Sequence, residues 1–429
     1  MPLPSHDTFV ARAKDILRAN DRGGYTVPTA ALYPFQWNWD SAFVAMGFAT
    51  YDADRAYREL EMLVRGQWAD GMIPQIVFHA PSDTYFPGPD VWKTSGKSPV
   101  GGPATSGITQ PPVFAMALRA VHEAAAGSTD LQTRTLPLFE AALKSHRWWL
   151  AARDPENTGL VSILHNWETG SDNSPAWDHA FERVPTTTVT KIVRKDTGHV
   201  DAAMRPRDID YQRYIHLVDT YAATGWDPDA QWRATPFKIA EIQTTAILAR
   251  ATEDLIALSD SLRRPEAKAE LLDMHARLIT GLASRWRPEL SRFCSYDMIS
   301  KSDILTPTHA GFVPLLALDL DADQKHTVAK EMSRWLASVK YGFPTVPATA
   351  AEFEAKRYWR GPSWAIMNWL LIDGLQRNHL DELAARLRAD TLAAIEATDF
   401  AEYVDPITVE GCGGNAFSWT AAAYLHLTK

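Results

Sequence analysis

Apolar residues return every three or four positions in about a dozen separate stretches of this chain, and no strand-helix-strand unit interrupts them. Val10, Ala13, Ile16 and Leu17 share one face of a first helix that ends near Asn20, and Ala56, Leu60, Leu63, Val64 and Trp68 share a face of another between Asp54 and Gly71. The same period predicts helices over roughly 112–126, 131–153, 210–224, 237–260, 266–286, 309–320, 323–338, 362–377, 380–397 and 417–428, with shorter ones at 40–49 and 176–182. Helices with no sheet to lie on must bury their apolar faces on one another. No repeat of roughly 34 to 45 residues recurs, which disfavours an open solenoid. The expected fold is all-α, an (α/α)6 barrel of six inner helices wrapped by six outer ones, with one domain covering residues 1–429.

Between these helices lie segments rich in Gly, Pro, Ser and Thr, at about 71–110, 154–175, 184–209 and 339–361. Loops longer than about 15 residues are uncommon in compact domains and are usually functional or disordered. These carry Trp, Tyr, His and acidic residues, which disordered linkers rarely do. They are expected to form the rim of one barrel mouth, with 71–110 and 184–209 as its lids.

Charge and composition exclude several functions. A net charge of −9 with no Lys/Arg cluster offers nothing to a nucleic-acid partner. No segment approaches the roughly 18 unbroken apolar residues of a membrane span, and the N-terminus lacks the basic-then-apolar pattern of a leader. Cys294 and Cys412 are too few for a disulfide framework and have no metal-ligand spacing. The expectation is a cytoplasmic protein without metal or cofactor, with homo-oligomer formation left open.

Sixteen tryptophans stand in the chain, several beside carboxylates. Trp37-Asn38-Trp39-Asp40 follows Tyr33-Pro34. A lone Asp there would cap a helix, but two flanking indoles suit the apolar faces of a sugar ring while the carboxylate accepts from its hydroxyls. His165 to Asp178 holds three acidic residues and two indoles broken by Gly and Pro, unlike a core helix or a solvated face. A helix beginning near Pro175 would put Asp172 in the turn that leads to it. Ala401-Glu402-Tyr403-Val404-Asp405-Pro406 precedes a Gly-rich piece, 410–415, that lacks the lysine of a phosphate loop and is expected to turn tightly beside a ligand.

Taken in order, Trp39-Asp40, Gly71-Met72-Ile73-Pro74-Gln75, Gly107-Ile108-Thr109-Gln110-Pro111-Pro112, Glu168-Thr169-Gly170-Ser171-Asp172-Asn173-Ser174-Pro175, Tyr358-Trp359-Arg360-Gly361-Pro362-Ser363-Trp364 and Ser418-Trp419-Thr420 resemble glycoside hydrolase family 63 over nearly the whole chain. The likeness is nearest to its small bacterial mannosylglycerate and glucosylglycerate hydrolases, and more distant to trehalases. The resemblance implies the same barrel and hydrolysis of a small α-glucoside or α-mannoside with inversion. It implies Asp172 as general acid and Glu402 as general base, with Trp39, Asp40, Gln110, Glu168 and Trp364 holding the sugar. Tyr85, Trp167, Arg213 and Tyr358 match positions around the glycerate end. Tyr33, Trp37, Gln75, Trp359 and Trp419, in or beside the matched strings, complete the expected binding set.

Chemistry asks for the same arrangement. An inverting hydrolase needs a protonated acid at the leaving oxygen and a carboxylate about 6.5–9.5 Å away, with room for water between. Trp167 and Trp177 would raise the pKa of Asp172, and Glu402 is expected hydrated and ionised. Arg213 is either solvated or a bidentate partner for a substrate carboxylate. Phe417 and His216 depart from the relatives' pattern, so a disaccharide remains a competing substrate. Two rival functions are a sugar epimerase, which would need paired catalytic histidines, and a non-catalytic sugar-binding protein.

Overall fold

A computed structural model of the chain describes residues 6–30, 32–198 and 200–429. Residues 1–5, 31 and 199 fall within the expected domain, and 199 within the expected lid 184–209; they lie outside the described residues. Among the described residues six helices form a closed inner ring: Asn38–Phe48, Phe114–Ala124, Ile242–Ser261, His309–Leu316, Ala365–Arg377 and Ser418–Leu427, each packed on the next and the last on the first. Six longer-spaced partners alternate with them along the chain and stand outside: His6–Ala19, Ala53–Val64, Thr135–Arg153, Pro265–Ala283, Ala322–Leu336 and Asp381–Ala397. This is the (α/α)6 barrel.

The division between rings follows from sequence. Asn38–Phe48 is buried at every residue, as a helix surrounded by other helices must be. Ala53–Val64 buries Ala56, Tyr57, Leu60 and Leu63 together with the Arg55–Glu59 ion pair (2.9 Å), and exposes Asp54 and Arg58. Helix starts carry the expected chemistry. The Asp52 side chain accepts from the Arg55 N–H, Pro265 occupies a first-turn position, and Asp321 with Gln324 makes a reciprocal capping box. Ring closure depends on Gly47, where a Cβ would collide with Ala422 of the last helix. The apolar core runs unbroken from Ala13 to Leu427.

Two features depart from the periodicity. The fourth inner member is a short 3-10 helix with Pro314 inside it, because proline supplies no N–H and obstructs continuation as an α-helix. Helices Asp208–Ala223 and Pro228–Ala234 form an extra pair within one connection.

Short strands also stitch the loops together. Gln36–Trp37, Ile76–Phe78 and Ala104–Thr105 pair antiparallel, with Trp37 opposite Ile76 and Val77 opposite Thr105, which fixes 71–110 beside the Trp37–Asp40 string. A four-stranded patch orders Ser162–Ile163, Ile239–Ala240, Tyr296–Asp297 and Ser302–Asp303. Tyr403–Val404 pairs with Gly411–Cys412. Both cysteines are free and buried. Among the described residues no helix is long and apolar enough to cross a membrane.

Candidate active site

The loops line a cavity. Asp172 and Glu402 both open onto it, although they lie far apart in the chain. So do Tyr33, Trp37, Trp39, Asp40, Gln75, Tyr85, Gln110, Trp167, Tyr358 and Trp419 of the expected binding set.

The first inner helix and the strand before it supply one wall. The Trp39 N–H donates to Oε1 of Gln110 (3.3 Å), and its indole meets Trp419 edge-on with centroids 5.6 Å apart. Tyr85 packs edge-on against Trp37 at 5.1 Å. Gly170 lies so close under Trp39 that a Cβ there would collide with the indole. Burial first, and then the charges of Glu402 and Asp172, push Asp40 well above the usual carboxylate range, against the pull of its own backbone N–H.

Asp172 occupies the turn before the short helical segment Pro175–Trp177, as expected. Its carbonyl accepts from Asn166 Nδ2 (2.8 Å) and from the Tyr214 hydroxyl (3.2 Å), so the backbone is pinned while the carboxyl faces the cavity. That carboxyl takes no hydrogen bond from the side chain of another described residue. The side chain is half-buried, but the space it faces is itself walled by protein. Burial raises its pKa to about 8, with Glu402 adding and Arg205 opposing. Trp167 contributes to the wall; Trp177 does not, since it turns into the core and donates to the Ser171 carbonyl (2.9 Å).

Glu402 has the opposite surroundings. Its N–H donates to the Gly414 carbonyl (2.7 Å), and the Gly414 N–H returns a bond to Oε2 (2.8 Å). Gly413 has φ +74°, and a Cβ there would run into Oε2, which is what the glycines of 410–415 are for. The Tyr33 hydroxyl donates to Oε1 at 3.2 Å, and Nη1 of Arg205 stands 3.9 Å from the same oxygen. The expectation of a hydrated Glu402 is corrected: it is 1% exposed. Burial raises its pKa, while Arg205, the Gly414 N–H and the two tyrosine hydroxyls draw it back.

Arg205 was missed in the sequence. Its Nε donates to Oδ2 of Asp196 (3.1 Å), and its guanidinium lies 4.2 Å over the Tyr358 ring. Arg205 lines the cavity, and its Nη1 is buried without a hydrogen-bond partner. Asp196 is held by Arg194 (2.7 Å) and by the Tyr211 hydroxyl (3.3 Å). Burial would raise Asp196, but these ion pairs outweigh it and leave the carboxyl below its ordinary range. Asp196, Tyr211, Phe86, Pro28 and Phe417 also line the cavity. The one sequence hint was a run of charged residues, Arg194-Lys195-Asp196, inside a loop already expected to cover the mouth.

Four expected binding residues lie behind the wall instead. Glu168 is fully buried in an ion pair with Arg153 (2.7 Å) and accepts the Leu164 N–H (2.9 Å), so its oxygens are occupied by protein. Trp359 and Trp364 stack on each other, centroids 4.0 Å apart and 2° from parallel, and Trp364 stacks on Tyr403 at 4.4 Å. Arg213, on helix Asp208–Ala223, does not line the cavity. His216 is likewise outside it, tied to the Thr187 carbonyl (2.6 Å). No histidine is among the lining side chains, which argues against an epimerase. Among the described residues no group of three or more His, Cys, Asp or Glu is arranged to hold a metal.

A family model described as a mannosylglycerate hydrolase MGH1-like glycoside hydrolase domain matches residues 33–420. The chain is 42% identical to mannosylglycerate hydrolase MGH1 of Selaginella moellendorffii, over 98% of this chain and 86% of that protein. It is 35% identical to a glucosylglycerate hydrolase of Mycolicibacterium hassiacum, over 97% of each. Among solved structures, the family 63 mannosylglycerate hydrolase of Thermus thermophilus in complex with Tris and D-glycerate matches with a TM-score of 0.94 at 43% identity, covering 98% of this chain and all of that one.

Proposed function

The chain belongs to the mannosylglycerate hydrolase MGH1-like glycoside hydrolases of family 63, and from that premise we propose that it splits an α-hexosyl-glycerate, with Asp172 as proton donor and Glu402 as base. It is an inverting glycosidase. The observation that carries the residue assignment is that two carboxyls with opposite surroundings open on one cavity: Asp172 without a donor from another side chain and raised to about 8, Glu402 held by donors and faced by a cation.

In this reading the hexose ring lies against Trp39 and Trp419, with Asp40 and Gln110 at its hydroxyls. Asp172 gives its proton to the glycosidic oxygen as the bond to the anomeric carbon breaks. Glu402 takes a proton from a water that attacks the opposite face of that carbon, so an α-glycoside yields a β-hexose. Asp172 is regenerated by the proton that Glu402 received, returned through solvent. Arg205, rather than the Arg213 expected from sequence, grips the carboxylate of the leaving glycerate, a reading supported by its place in the cavity lining and by an Nη1 that has no hydrogen-bond partner. Phe417 stands in the same wall, edge-on to Tyr33 with centroids 5.9 Å apart, and offers that end of the substrate no hydrogen bond. The whole chain acts as one catalytic domain, and two unpaired cysteines support a reducing, cytoplasmic setting.

The test is turnover of α-glucosylglycerate, α-mannosylglycerate, trehalose, sucrose and kojibiose, with the anomer of the first-released hexose followed by NMR. Hydrolysis of a glycerate glycoside to β-hexose is expected. Turnover confined to the neutral disaccharides, or release of α-hexose, would refute the reading.

A further inference from the structure

The loop that carries Tyr358 to the cavity, Glu354 to Arg360, turns back on itself: the Glu354 N–H donates to the Arg360 carbonyl (2.8 Å) and the Arg357 N–H to the Glu354 carbonyl (3.1 Å). Within that turn the Glu354 carboxylate receives three guanidinium groups. Nε of Arg357 lies at 2.5 Å, Nη2 of Arg207 at 2.7 Å and Nε of Arg360 at 3.1 Å. Each arginine leads on to the site. Arg357 Nη1 donates to the carbonyl of Arg205 (2.9 Å). Arg207 is two residues beyond Arg205. Arg360 binds Asp178 with both terminal nitrogens (2.8 and 2.9 Å) and reaches the Asn173 carbonyl (3.4 Å), while Asn173 Oδ1 accepts the Trp359 N–H (2.9 Å). The turn also holds Tyr358 at φ 44°, a left-handed conformation that a non-glycine residue keeps only when its surroundings impose it.

We propose that Glu354 is a positioning residue for the reaction: one carboxylate, touching neither cavity nor substrate, sets the 171–178 turn that carries Asp172, the backbone of Arg205 and the Tyr358 loop relative to one another. This rests on the roles proposed above for Asp172 and Arg205. Partly exposed ion pairs contribute little to stability, and the Glu354 side chain is 32% exposed. Its loss therefore disturbs geometry more than folding.

Glu354→Gln keeps the shape and removes the charge. Relative to wild type, kcat/KM falls at least about tenfold, the penalty of small misplacement at a reacting centre. The KM for a glycerate glycoside carries the larger share, because Arg205 shifts; a neutral-aglycone α-glycoside loses kcat through the 171–178 turn and keeps its KM. The melting temperature stays within about 3 °C, and Glu354→Asp restores part of the activity. Arg357→Gln causes a similar loss, and the double variant is no worse than either single one, since both act through one path. A Glu354→Gln enzyme within about twofold of wild-type kcat/KM, losses that simply add in the double variant, or a loss that follows a collapse in melting temperature and is not recovered by Asp, each overturns the proposal. If the wild-type enzyme hydrolyses no glycerate glycoside, the proposed substrate fails, and the neutral glycoside still reads the effect of Glu354 on the acid turn.

Discussion

Nη1 of Arg205 stands 3.9 Å from Oε1 of Glu402, too far for a hydrogen bond and near enough to favour the ionised carboxylate. The same nitrogen has no hydrogen-bond partner of its own. One cation thus both steadies the base and stays available to an anionic ligand, and its removal has two separable effects. Arg205→Met is expected to lower kcat/KM for a glycerate glycoside about 100-fold, the scale of losing charged hydrogen bonds, with a much smaller effect on neutral disaccharides. It also raises the pKa of Glu402, so the acid limb of the pH profile moves to higher pH. Steady-state kinetics across pH on both substrate types read both effects.

The two carboxyls are tested by isosteric amides. Asp172→Asn and Glu402→Gln each remove one proton-transfer group, worth about 10²- to 10⁴-fold in rate. Ligand affinity, followed by calorimetry with the product hexose, changes little. A variant that turns over like wild type would remove its residue from the mechanism.

The raised pKa of Asp172 gives pH dependence a definite sign. The acid works while protonated, so kcat/KM declines as pH rises through about 8. The base works while ionised, and burial has raised Glu402, so activity falls on the acid side above the ordinary glutamate range. Stability follows the same proton. The folded state holds it up to about pH 8, while the unfolded chain releases it near about 3.9. Rising pH therefore weakens the fold across that window. Asp172→Asn should melt higher than wild type at pH 8 and at the same temperature below about pH 4, by scanning calorimetry.

Glu168 answers to stability rather than affinity. Glu168→Gln leaves the Arg153 charge uncompensated in the core, where each side chain is 1% exposed or less. The expected loss is about 3–5 kcal/mol in urea unfolding, the usual consequence of breaking a buried pair. A stable variant with weakened sugar binding would instead return Glu168 to the sugar site.

The helices were legible because a 3.6-residue period is local: Val10 to Leu17 and Ala56 to Leu63 declare their buried faces within two turns. The chain segments around Asp172 and Glu402 were legible because carboxylates beside indoles and tight glycines have few structural uses. Arg205 was not. It lies in an aperiodic loop, and only its contacts with Asp196 and Arg357 separate it from Arg213 a few residues on. Glu168 misled for a related reason: it stands in the acidic string, yet its partner Arg153 is the last residue of an outer helix, and nothing local announces the pair. The two-residue strands were invisible because alternation over so short a run carries no signal.

The inner helix Asn38–Phe48, which begins at the cavity wall with Trp39 and Asp40, is buried along its whole length, so solid packing lies behind that wall. In the proposed binding mode, with the hexose against that wall, the glycerate departs first, and product inhibition is then expected to be competitive for hexose and not for glycerate.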